Sequence, residues 1–171
     1  MSKEYTFNPG DFVVYPAHGV GQVSERQTTS VGGQNVDLIA IHFTKDKLTM
    51  RIPSEDAMNK GLRAVVSPAV MESVVSTLEQ KPKAKRMPWS KRSAEYTAKI
   101  SSGDPIALAE VVRDLYRDPA LAGQTYSERQ LFEKAFSRLA PEYAVVQKMT
   151  EHEAALQLEA ILQGADEKVT A

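Results

Sequence analysis

VVSPAVMESVVSTLEQ, residues 65–80, marks the point where one kind of structure stops and another begins. Ser67 is a good helix N-cap, and Pro68 is preorganised for the first helical position. Val70, Val74, Val75 and Leu78 then recur at helical spacing, which predicts one amphipathic helix running to about Gln80. The texture differs on either side of this helix, so the chain divides into a β part and an α part.

Upstream, the first 66 residues read as strands. Phe12, Val13, Val14 and Tyr15 form a short run that stops at Pro16, and a Gly-rich turn is expected at Gly19 and Gly21. VSERQTTSV leads to a turn at Gly32-Gly33, QNVDLIAIHF resumes as a strand, KDKL turns into LTMRIP, and LRAVV supplies a last short piece. Five short strands with tight connections in so few residues predict a small SH3-like or Tudor-like barrel, because closing the sheet removes most of the exposed strand edges.

Downstream, KPKAKRMP carries two prolines, high charge and no apolar period, as a linker does. From Trp89 the pattern is helical. Trp89, Tyr96 and Ile100 share a face, and Gly103 is placed to end that helix in the left-handed conformation. Asp104-Pro105 caps the next helix, whose Leu108, Val111, Val112 and Leu115 fit one apolar stripe. Ser127 with Gln130 reads as a capping box before Leu131, Phe132, Ala135 and Leu139. Thr150 with Glu153 repeats the device before Leu158, Ile161 and Leu162, and Pro141 is expected to kink or divide the helix between them. The expected organisation is therefore an α+β multidomain chain: a barrel over 1–66, a connecting helix and basic linker over 67–88, and an all-α bundle over 89–171.

With 42% hydrophobic and 25% charged residues, the composition is that of an ordinary globular protein. No apolar run approaches the roughly 18 residues of a membrane span, and MSKEYTFNPGD lacks the apolar core of a signal peptide, so a cytoplasmic protein is expected. The absence of cysteine excludes disulfides, thiolate catalysis and Cys-based metal sites. His18, His42 and His152 have no metal-ligand spacing, and no paired carboxylates converge, so neither an enzyme nor a cofactor or metal is expected. Gly19 and Gly21 form a G-x-G without a phosphate-loop Lys-Ser/Thr or a following helix, which makes them a plain turn. His18 reads as a turn residue whose ring bonds to nearby backbone.

The net charge is only −1, yet its distribution is uneven. Residues 1–80 carry seven basic and nine acidic groups, 81–99 carry seven and one, and 100–171 carry seven and twelve. The sole tryptophan, Trp89, sits inside the basic segment KPKAKRMPWSKRS, 81–93. Lys81, Lys83, Lys85, Arg86, Lys91 and Arg92 are suited to neutralising phosphates, and an indole beside them to stacking on a base or wedging between base steps. At 100° per residue, Arg92 lies about 60° round the helix from Trp89 and Lys91 about 160°. Two readings of Trp89 stand at this point: a ring projecting from the first turn toward nucleic acid, or a core residue continuing the Tyr96 and Ile100 stripe. For the chain as a whole, a barrel-based protein adaptor with a basic spacer, or an RNA-binding regulator, are the alternatives to a DNA-binding one.

GDFVVYPAHGVGQV (10–23), LTMRIP (48–53), W-S-K-R (89–92) and SSGDPIALAEVVRDLYRD (101–118), taken together and in this order, resemble the bacterial CarD/CdnL transcription factors over nearly the full length. The resemblance implies an N-terminal Tudor-like domain that binds the RNA polymerase β subunit and a C-terminal helical domain that binds promoter DNA in the minor groove, largely without sequence specificity. It implies a Trp wedge at the upstream edge of the −10 element that stabilises the open complex. Apart from the resemblance, a monomer is expected. On matching positions, Trp89 is the wedge, with Lys91, Arg92 and Arg129 as basic DNA-proximal residues and Lys85 and Arg86 in the basic approach. Arg51 and Pro53 match the polymerase-binding strand. The sequence departs from the family pattern at Lys91, a Lys-for-Arg change that loses planar bidentate geometry; at Ala94, where some members have Lys; and in ERQTTSVGG, where Arg26 is a weak substitute for a second polymerase-contacting Arg.

Overall fold

The computed structural model describes residues 7–16, 18–83, 87–117 and 123–170. The chain falls into two compact units, Met1–Val65 and Val66–Ala171.

The first unit is built on five strands: β1 (Phe12–Tyr15), β2 (Gly19–Val31), β3 (Gln34–Phe43), β4 (Leu48–Pro53) and β5 (Arg63–Ala64). All pairings are antiparallel, in the order β4-β3-β2-β1-β5. This is the strand order of an SH3-like or Tudor-like barrel. The long β2 serves both halves, and the register shift between Val23 and Glu25 is a bulge that bends it. Val13, Tyr15, Val23, Ile39, Ile41 and Phe43 point inward to make the core, with Phe7, Ala57 and Leu62 completing it. Gly32 and Gly33, at φ 60° and 81°, make the two-residue hairpin turn that their sequence predicts.

Two local expectations change here. Gly21 lies inside β2, not in a turn: a Cβ there would meet Ile41 Cγ2 at 2.6 Å and Phe43 Cε1 at 2.8 Å. It is glycine because the core presses against the backbone. Between β4 and β5 runs a short helix, α1 (Ser54–Asn59), where only strands are expected; Glu55 and Asp56 in its first turn favour it through the helix dipole. His18 does sit in a turn, its N–H donating to the Tyr15 carbonyl at 2.9 Å. Its ring stacks on Tyr15 and tilts against Phe43, with Nδ1 3.7 Å from Asp46, so aromatic packing takes the place of the expected ring-to-backbone bond.

The second unit comprises α2 (Pro68–Leu78), α3 (Trp89–Ser102), α4 (Pro105–Leu115), α5 (Tyr126–Gln147) and α6 (Glu151–Thr170). Ser67 Oγ caps α2 by accepting from the Val70 N–H, Asp104 caps α4, and Thr150 and Glu153 satisfy each other's N–H groups at 3.2 and 3.1 Å. Gly103 ends α3 at φ 71°. Met71, Val74 and Leu78 of α2 belong to the same core as Tyr96, Ile100, Val111, Val112, Leu139 and Leu158. The helix expected to connect two domains is thus packed into the bundle. The cap of α5 is Thr125, whose Oγ1 accepts from the Glu128 N–H at 3.2 Å, two residues before the predicted Ser127. Pro141 does not divide this helix: Leu139 to Ala144 are all buried, and their packing outweighs the single backbone hydrogen bond a proline forfeits. No helix among the described residues is long and apolar enough to cross a membrane.

Candidate nucleic-acid interface

The first turn of α3 begins at Pro88, whose carbonyl accepts from the N–H groups of Lys91 and Arg92. The side chains of Ser67, Asp104, Thr125 and Thr150 cap the other helices of this unit. The α3 start has neither a side-chain cap nor an acid, and carries Lys91 and Arg92 instead. Cations at the positive end of a helix dipole are unfavourable for the helix and favourable for a bound anion.

Trp89 is partly buried and packed against the bundle core, its ring centroid 6.4 Å from that of Tyr96. The ring is seated on the core without being fully buried by it. Lys91 is exposed. Arg92 is not: its guanidinium carbon lies 5.6 Å from the Trp89 ring centroid and 5.8 Å from that of Tyr96, and Nη2 donates to Tyr96 Oη at 3.3 Å. That hydrogen bond, opposed by burial and aided by the charges of Glu128 and Asp114, pushes the Arg92 pKa still further up. The spacing 89, 92, 96 stacks three side chains on one face, a relation legible in the sequence once Arg92 is allowed to fold back.

Arg129 lies exposed on the first turn of α5, its Nε 3.0 Å from Glu133 Oε1. Glu128, in the same turn, adds to the field that favours the charged form of Arg92. Tyr126, 75% exposed beside it, is a large aromatic residue that periodicity alone does not single out. Ala94 is exposed on α3. Lys85 and Arg86 lie outside the described residues. The preceding part of the basic segment is anchored: the Lys83 N–H donates to Asp114 Oδ1 at 3.0 Å, Asp114 is paired with Arg113 Nε at 2.8 Å, and Arg113 Nη1 donates to Gln80 Oε1 at 3.1 Å. Arg113 and Asp114 are 4% and 6% exposed, a buried pair used to hold a loop.

In the barrel, β4 pairs with β3 alone among the described strands and forms one edge of the sheet. Arg51 is exposed on that edge strand, and Pro53 ends it, half-buried. Arg26 is engaged within the barrel, in a close bidentate contact with Asp37 and a hydrogen bond to the Phe7 carbonyl at 3.4 Å. The arginine lowers the Asp37 pKa.

Residues 7–66 match the CarD-like/TRCF RID domain family, and residues 73–159 match the CarD, C-terminal domain, family. The chain is 26% identical over 145 residues to "Putative transcription factor YdeB" of Bacillus subtilis strain 168, across 85% of this chain and 95% of that protein. A solved structure, the solution NMR structure of the 72-residue N-terminal domain of Myxococcus xanthus CarD, is 29% identical and covers 34% of this chain and 79% of that one, at a TM-score of 0.30. A Tudor-like barrel followed by a helical unit, each matching a family of this kind, defines a transcription regulator with an RNA polymerase-interacting domain. The chain belongs to the CarD/CdnL family.

Proposed function

We propose that the barrel docks on the RNA polymerase β subunit while the helical unit engages promoter DNA, with Trp89 entering the minor groove at the upstream edge of the −10 element to stabilise the open complex. The observation that carries this reading is the partly exposed Trp89 on an uncapped, cation-bearing helix start. Unstacking a base step costs a few kcal/mol, which contacts to the distorted duplex offset. Lys91 and Arg129 are the described cations best placed to meet phosphates; Lys85 and Arg86 are assigned the same role from the sequence.

So few phosphate contacts give weak binding to DNA alone, and tethering through polymerase supplies the effective concentration, of order mM for a short connection. The edge position of β4 and the exposure of Arg51 support docking by strand addition to the β subunit, with Pro53 closing the strand. The adaptor alternative needs the basic segment to be an idle spacer, and the hold of Asp114 on Lys83 argues against that. Titration of a labelled promoter duplex across a range of salt concentrations tests the DNA half: Lys91→Ala should reduce the salt slope by about one, and an unchanged slope favours the adaptor. Capture of the β subunit by the full chain, lost in Arg51→Glu, tests the other half.

A further inference from the structure

We infer that Arg92 acts on DNA only through Trp89: it is a brace that fixes the indole for insertion, and not a ligand for phosphate. Three observations converge on this role. The guanidinium carbon lies over both aromatic rings, at 5.6 and 5.8 Å from their centroids. One terminal nitrogen is committed to Tyr96 Oη. Nε is buried, with no hydrogen-bond partner among the described residues. To offer Nη2 or Nε to a phosphate, Arg92 would have to break its bond to Tyr96 or move out of its place over the two rings.

The residue type fits this task. A planar guanidinium lies flat on an indole and donates in its own plane to a phenol at the same time, which a lysine ammonium cannot do. Lys91, its exposed neighbour, is suited as a point charge to the phosphate role that Arg92 has given up. Holding a ring in its inserting orientation before contact removes an ordering cost from binding.

The purpose of the brace rests on the wedge reading proposed above, but its first test does not. Trp89 is the only tryptophan, so intrinsic fluorescence of the full chain reports this ring alone. Arg92→Met keeps the stem and removes the fork. Loss of a cation–π contact at a partly exposed site should lower the population of the held ring by about 2–5-fold, read as easier quenching by acrylamide and a red-shifted emission. Arg92→Lys keeps a cation but loses the planar fork, so its quenching should lie between that of the unaltered protein and that of Arg92→Met. If Arg92→Met does not fold, the Lys variant carries the test.

On a promoter duplex, either Arg92 variant should weaken binding while leaving the salt slope at the wild-type value; Lys91→Ala is the control, expected to lower the slope by about one. Unchanged quenching in the variants overturns the inference, as does a slope lowered by about one in Arg92→Met. Should Lys91→Ala also leave the slope unchanged, the DNA reading fails while the brace, judged by quenching, stands.

Discussion

The main-chain N–H of Lys83 donates to the side chain of Asp114, 31 residues further on, at 3.0 Å. The carboxylate holding this loop is itself buried and paired with Arg113, so the start of the basic segment is tied to α4 through a buried ion pair. Asp114→Ala should cost about 3–5 kcal/mol, because it strands a buried guanidinium. Chemical denaturation of the full chain measures the loss, and faster tryptic cleavage after Lys83 should accompany it.

The helix cap two residues from its predicted place gives a sharp comparison. Thr125→Ala should destabilise the helical unit by about 1 kcal/mol, the usual worth of an N-cap, whereas Ser127→Ala, exposed within the first turn, should change it by a few tenths at most. Thermal melts of the two variants decide which residue opens α5.

Gly21→Ala should destabilise the barrel by about 1–3 kcal/mol through overpacking, since the added methyl would lie 2.6 Å from Ile41. The same change at Gly164, where nothing stands within 4 Å, should cost nothing and favour the helix slightly.

Acid should weaken each unit through one carboxylate. Lys99, bonded to Glu110 at 2.6 Å, holds the Glu110 carboxyl below its ordinary 4.5, and Arg26 holds Asp37 below its ordinary 3.8. Both folded values lie under the unfolded ones, so the unfolded chain binds more protons in this range. The stabilisation is complete above the ordinary values and is lost as pH falls through the folded ones. Each pair is about one-third exposed, so screening keeps the effect small. Urea midpoints should fall as the pH drops below the ordinary carboxylate values, and Lys99→Met should flatten the part contributed by the helical unit.

The sequence makes legible whatever depends on near neighbours. The Gly32-Gly33 turn, the Asp104 cap, the Thr150–Glu153 box and the Gly103 terminus each follow from residues within four positions of one another. Gly21 is misread because its neighbour in space, Ile41, is twenty positions away and glycine is common in turns. Glu142 and Asp114 look like ordinary surface acids on helices; their partners, the N–H groups of Val66 and Lys83, can be found only when the chain has folded. Of the candidate site, Trp89 and Lys91 stand out by type and place. The inward fold of Arg92 is less plain, because the spacing places it on the face of Trp89 and Tyr96 but does not say whether a long charged side chain lies back on the rings or extends into solvent.

The lifetime of a competitor-challenged promoter open complex, measured with full-length chain carrying Trp89→Ala, tests the central claim most directly. The ring is only half-buried, so the variant should lose less than the about 3–5 kcal/mol of an enclosed aromatic, stay folded and still bind polymerase, while the complex decays faster than with the unaltered protein. A folded, polymerase-bound variant that preserves the lifetime would contradict the account.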